Sequence, residues 1–174
     1  MREGRERMKI TAQEEYGLRC LMRLARAPEG ASLTIPEIAL DEQLSPAYVG
    51  KLLRVLRQAG FIESVLGRTG GYHLARPAEE IRLGGVLLAL GEPLFDDPGY
   101  CEKHASPETD GPCVHQAGCT LRGLWQTLEQ WMRHVLDQVT LADLLNNDSA
   151  VVRRLREQLP SAHGPLLTLN AIRG

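Results

Sequence analysis

The 174-residue sequence contains no apolar run approaching the roughly 20 residues that a helix needs to span a bilayer, so no membrane association is expected. Its opening, MREGRERMKI, is charged and lacks the apolar centre of a secretory signal. A cytoplasmic location is the expectation that follows. A basic excess is also missing: 20 Lys and Arg stand against 22 Asp and Glu, for a net charge of −2. That balance excludes binding to a polyanion by bulk charge alone. No glycine-rich phosphate loop lies between a strand and a helix, and no nucleophile–base pair is apparent, so an enzyme is not expected. There is no internal repeat and no low-complexity tract. Cysteine is scarce at four residues, yet three of them, Cys101, Cys113 and Cys119, fall in one short stretch. In a cytoplasmic chain such clustering points to metal binding or redox sensing, because structural disulfides are rare there.

Hydrophobic residues make up 43% of the chain, enough for one core with an appended element. The charge is unevenly spread. Residues 1–85 hold thirteen basic and eleven acidic side chains, and residues 86–174 hold seven and eleven. Between residues 44 and 76, Lys51, Arg54, Arg57, Arg68 and Arg76 face a single acid, Glu63. This is a local basic footprint on an otherwise acidic chain.

Residues 1–9 read as a polar lead-in, and Met8 could equally be the natural start, since MKIT opens the ordered pattern. Thr11 and Glu14 form a capping box for a first helix reaching about Ala27. Thr34 and Glu37 form a second, opening a short helix to about Glu42. Ser45 caps a third helix with Pro46 at its first position, and Gly60 stops it. In that helix Val49, Leu52, Leu53 and Leu56 share one face, while Ala47, Tyr48, Lys51, Arg54 and Gln58 share the other. Phe61–Val65 and Tyr72–Ala75 read as strands around a glycine-rich tip carrying Arg68. The expected fold class is mostly α with a small β-wing: a winged helix-turn-helix over residues 8–90, plus a long dimerisation helix.

In such a fold the third helix enters a major groove and the wing grips a minor groove or the backbone. The candidate DNA-contacting residues are Ser45, Ala47, Tyr48, Lys51, Arg54 and Arg68, with duplex DNA as the expected partner. Residues 91–118 are rich in Gly, Pro and Asp and read as the cysteine-bearing loop. Residues 119–145 form the helical dimerisation region, and 146–174 a weakly ordered tail. The long helix, from Cys119 to about Val139, carries an apolar stripe of Leu121, Leu124, Trp125, Leu128, Trp131, Met132 and Val135. That stripe is too wide for one small neighbour. A homodimer would bury it and space two winged helices for a pseudo-palindromic operator.

The run SPAYVGKLLRVLRQAGFIESVLGRTGGYHLARPAEEIRLGGVLLAL resembles the DNA-binding core of IscR/NsrR-type transcription regulators. TAQEEYGLRCLMRLA resembles their first helix, and GCTLRGLW the point where the dimer helix leaves the cysteine loop. The resemblance covers about residues 8–145. It implies a homodimer using an iron–sulfur cluster to sense redox state, nitric oxide, iron or cluster supply. The implied ligands are Cys101, Cys113 and Cys119, with Glu15 supplied by the partner subunit as the fourth. Glu15 also falls on the helix face of Leu18 and Met22, where a carboxylate needs a partner or a ligand. A 4Fe–4S cluster is preferred over 2Fe–2S. Zinc, and thiols acting without a metal, are the alternatives, with His104 and His115 as lesser candidate ligands and Cys20 read as a buried hydrophobe. The sequence departs from the family in two places. The gap from Cys101 to Cys113 is eleven residues rather than five, and Leu66 stands where an arginine often precedes the wing. The stretch Thr120-Leu121-Arg122 also lacks the histidine that some members carry after the third cysteine.

Overall fold

In the computed structural model, described here over residues 10–28, 30–67, 70–91, 101, 119–146, 151, 153 and 155–157, the three expected caps all form. Helix α1 spans Ala12–Ala25. The Thr11 hydroxyl accepts the Glu14 amide at 3.2 Å, and the Glu14 carboxylate accepts the Thr11 amide at 2.7 Å. Helix α2, Ile35–Glu42, repeats the device with Thr34 and Glu37. There the Thr34 hydroxyl, and then its amide, hold the Glu37 carboxyl below the usual carboxylate range. Each box satisfies helix N–H groups that would otherwise lack acceptors.

Helix α2 ends at Gln43, whose left-handed φ of 55° turns the chain sharply into α3. Helix α3 spans Pro46–Gln58, with the Ser45 hydroxyl accepting the Tyr48 amide at 3.2 Å. Its inner face, Val49, Leu52, Leu53 and Leu56, is wholly buried, with Cys20, Leu21 and Leu24 of α1 and Ile38 of α2 in the same core. Burying each such side chain contributes roughly 1.5–3 kcal/mol. Ion pairs brace the outside of this unit. Arg19 reaches Glu42 at 2.8 Å and Arg23 pairs with Asp41, tying α1 to the far end of α2.

Strands β1 (Ile62–Val65) and β2 (Gly71–Leu74) form the antiparallel wing, in register from Ile62 opposite Leu74 to Val65 opposite Gly71. Leu33 extends it by exchanging two backbone bonds with Tyr72, at 2.9 and 2.8 Å. A single turn at Ala78–Glu80 leads to α4, Leu83–Leu90. The long helix α5 spans Thr120–Leu136, and α6 spans Leu141–Asn146.

Between α5 and α6 the chain returns to the DNA-binding unit. The Leu83 amide donates to the Val139 carbonyl, and the Leu141 amide to the Ile81 carbonyl, both at 2.9 Å. Val139 and Leu141 are buried, and Leu141 belongs to the same core as α3. The mostly α fold with a two-stranded wing is as expected. Cys101 has helical backbone, as do residues 151, 153 and 155–157, where Arg153 and Glu157 lie 3.9 Å apart at i,i+4, a spacing at which opposite charges favour helix.

Candidate nucleic-acid interface and thiol site

The polar face of α3 is free of the core. Ser45, Ala47, Lys51, Arg54 and Gln58 are exposed. Tyr48 differs: it is half-buried, its ring edge-on to Tyr16 with centroids 6.1 Å apart. It links α3 to α1 as well as facing outward. Arg68 lies outside the described residues. Its flank is defined, however. Gly67 has a φ of 125°, and a Cβ at Gly70 would fall 2.5 Å from the Val65 carbonyl oxygen, so the glycines are required to close the wing. Leu66, the departure from the family pattern, is 95% exposed.

One residue of the interface was not singled out by its sequence position. Arg57 at the end of α3 donates to the Ser64 hydroxyl of β1 at 3.4 Å, so it fixes the wing against the helix as well as adding charge. Arg76 lies over the Phe61 ring at 5.3 Å, at the other end of the hairpin. Neither contact leaves a signal in residue spacing.

The second site lies at the start of α5. Cys119 is the N-cap of this helix, and its side chain makes no capping hydrogen bond. One turn on, Arg122 donates to the Cys101 sulfur at 3.7 Å, which brings Cys101 against the turn that Cys119 opens. Both thiols are free and half-buried. Cys113, His104 and His115 lie outside the described residues. Among the described residues no three His, Cys, Asp or Glu side chains converge as a metal centre. The donor chemistry nonetheless suits a thiolate-bound, anionic group. One soft donor, Cys119, caps the positive end of a 17-residue helix, and a second, Cys101, is held by a guanidinium in that helix's first turn.

Cys20 is wholly buried in α1, and desolvation pushes its thiol up to about 11. That fits a core residue and not a ligand. It is Glu14, not Glu15, that turns inward, at 4% exposure; Glu15 is exposed, and Leu18 and Met22 beside it are only half-buried. The cap explains the difference. Glu14 folds back onto the Thr11 amide, and Gly91 closes over it so tightly that a Cβ there would overlap the carboxylate. The neighbouring Gln13 amide donates to the Leu90 carbonyl at 2.5 Å. The first turn of α1 is thus bound to the end of α4, where the cysteine-bearing segment departs.

The apolar stripe of α5 stays largely uncovered by its own chain. Leu121, Leu124 and Trp131 are 59%, 48% and 48% exposed, and Trp125, Leu128, Met132 and Val135 are half-buried. Its one buried side chain is Glu129, paired with Arg133 at 2.9 Å. Ile10 and Leu88, also exposed, line a cleft with Met132 and Leu136, and so continue the apolar surface toward α1 and α4.

A winged helix-turn-helix with a free polar recognition face, joined to a long half-covered helix, defines a DNA-binding transcription regulator. The family described as "Rrf2: Iron-dependent Transcriptional regulator" matches residues 10–147, and the chain belongs to it. The protein named rrf2 from Nitratidesulfovibrio vulgaris is 38% identical over 142 residues, covering 82% of this chain and 90% of that one. Among solved structures, IscR of T. potens is 28% identical with a TM-score of 0.57, covering 79% of this chain and 85% of its own. CymR of B. subtilis, described as the global cysteine regulator, is 28% identical with a TM-score of 0.58, covering 79% and 95%. The resemblance read from the sequence is thereby established at the level of family and fold. No described helix is long and apolar enough to cross a membrane.

Proposed function

We propose that this chain is a cytoplasmic homodimeric regulator whose operator affinity is set by an iron–sulfur cluster held by Cys101, Cys113 and Cys119. Glu15 of the partner subunit completes the ligand set. The observation that carries this reading is the bond from Arg122, in the first turn of α5, to the Cys101 sulfur, on the helix that Cys119 caps and whose stripe awaits a partner. Exposure of Glu15 favours a ligand reaching across the dimer, since its carboxylate is not used inside its own chain's core. Three thiolates and a carboxylate fit a 4Fe–4S cluster, which when bound supplies a tie that oxidants or nitric oxide can break.

This chain's own residues carry that tie to DNA. Cys119 begins α5, and the far end of α5 is fastened to α4 through Leu83 and Val139 and to the core through Leu141. A change in the direction of α5 therefore moves the DNA-binding unit as a body. Two such units reading half-sites about 34–36 Å apart change affinity when their separation changes. Lys51, Arg54 and Arg68 supply the backbone and base contacts, with Ser45 and the α3 N-terminus on a phosphate.

A second reading is that the thiols work without a cluster, by oxidation or by binding zinc. It is favoured by the free state of Cys101 and Cys119 and by the similarity to a protein described as the global cysteine regulator. Anaerobic purification separates the two. Brown protein with visible absorbance and with iron and acid-labile sulfide in proportion supports the cluster. Colourless protein with stoichiometric zinc, or with no metal, overturns it.

A further inference from the structure

We propose that Arg122 is a positioning residue for the thiol site: it holds the Cys101 sulfur at the first turn of α5 and raises the reduction potential of a cluster bound there. The inference rests on the cluster reading above and extends it to a residue that is not a ligand.

The geometry has three parts. Arg122 lies one turn beyond Cys119, so a single helical turn carries both a thiol and a cation. Its Nη1 donates to the Cys101 sulfur at 3.7 Å, within range for a bond to sulfur. Its side chain is half-buried, where a charge acts more strongly than at an open surface. Arginine has five N–H donors, no acceptor and a charge that is never lost. It therefore cannot ligate iron. What it can do is hold one thiolate by a charged donor.

The electrostatic consequence has a definite sign. A cluster gains negative charge when it takes up one electron. A cation and a hydrogen-bond donor at a ligating sulfur stabilise the more negative form, so the potential rises. The positive end of α5 acts in the same direction on Cys119. A regulator with Arg122 in place holds its cluster reduced at a higher ambient potential than one without it. Arg122 would thus set the point on the redox scale at which the DNA response begins.

The test is a reductive titration of anaerobically reconstituted full-length dimer, followed by visible absorbance, for the wild type, R122M and R122K. Methionine keeps the length and removes charge and donors; lysine keeps the charge and a donor but loses the planar fork. The expectation for R122M is at least a tenfold shift of the reduced-to-oxidised ratio at fixed potential, which is about 59 mV lower for a one-electron couple. R122K should fall between it and the wild type. A loaded R122M with the wild-type potential overturns the role of Arg122 and leaves the cluster reading standing. If R122M does not retain a cluster, R122K decides. A lowered potential supports the proposal, and an unchanged one overturns it. A wild type that acquires no visible absorbance overturns the cluster reading and this proposal with it.

Discussion

Replacing Lys51 with alanine isolates one contact of the recognition face. Lys51 is exposed on α3 and is separated by the helix from the buried face of Val49, Leu52, Leu53 and Leu56. Its loss should leave folding stability within roughly 0.5 kcal/mol, as for other surface changes. Any large effect on DNA binding is then a property of the interface. A lysine on a phosphate releases about 0.9 of a counterion, so the variant should lose roughly that much from the slope of log affinity against log salt. Between 50 and 200 mM salt, the wild-type advantage should therefore shrink about 3.5-fold. The assay is fluorescence anisotropy on an operator obtained by selection from random duplexes, repeated across that salt range. Lys51→Arg should restore the slope, because the charge returns. If Lys51→Ala binds with the wild-type affinity and the wild-type slope, α3 does not meet the backbone at this position, and the assignment of its outer face is wrong.

Trp131→Glu places a charge on the exposed stripe of α5 and should convert the proposed dimer to monomer, read by light scattering; an unchanged mass would place the interface elsewhere. Leu52→Ala removes a wholly buried side chain and should lower stability by about 2–5 kcal/mol in urea unfolding at constant m-value. Cys20 has a folded-state thiol raised to about 11 from an ordinary 9.0. The folded state therefore holds this proton more tightly than the unfolded one. The contribution is full below pH 9 and is lost as pH rises toward 11, by up to roughly 2–3 kcal/mol. Cys20→Ala should flatten that alkaline loss of stability, and the native thiol should resist alkylation at pH 8 while Cys101 and Cys119 react.

What was legible in the sequence was local. Thr11, Thr34 and Ser45 announced their helices because a cap is decided by side chains within three residues. The inner and outer faces of α3 followed from a 3.6-residue period. The same period set Glu15 beside Leu18 and Met22, a face that is only half covered, whereas the inward turn of Glu14 comes from its capping bond. Contacts between residues distant in the chain left no trace in spacing. The bridge between Arg82 and Thr140 anchors the far end of α5 to the DNA-binding unit, and the bond from Arg122 to Cys101 crosses 21 residues. Arg57 was counted as a charge, and its hold on Ser64 of the wing emerged only from the fold.

The central claim is that the thiol site biases the DNA-binding unit through α5. It requires the two states of that site to bind DNA unequally, because a group that treats both conformations alike shifts nothing. The most direct measurement is the operator affinity of cluster-loaded and cluster-free dimer, prepared anaerobically and titrated at the same salt. The account predicts a difference of at least fivefold, the low end of ordinary coupling between sites. Equal affinities would contradict it.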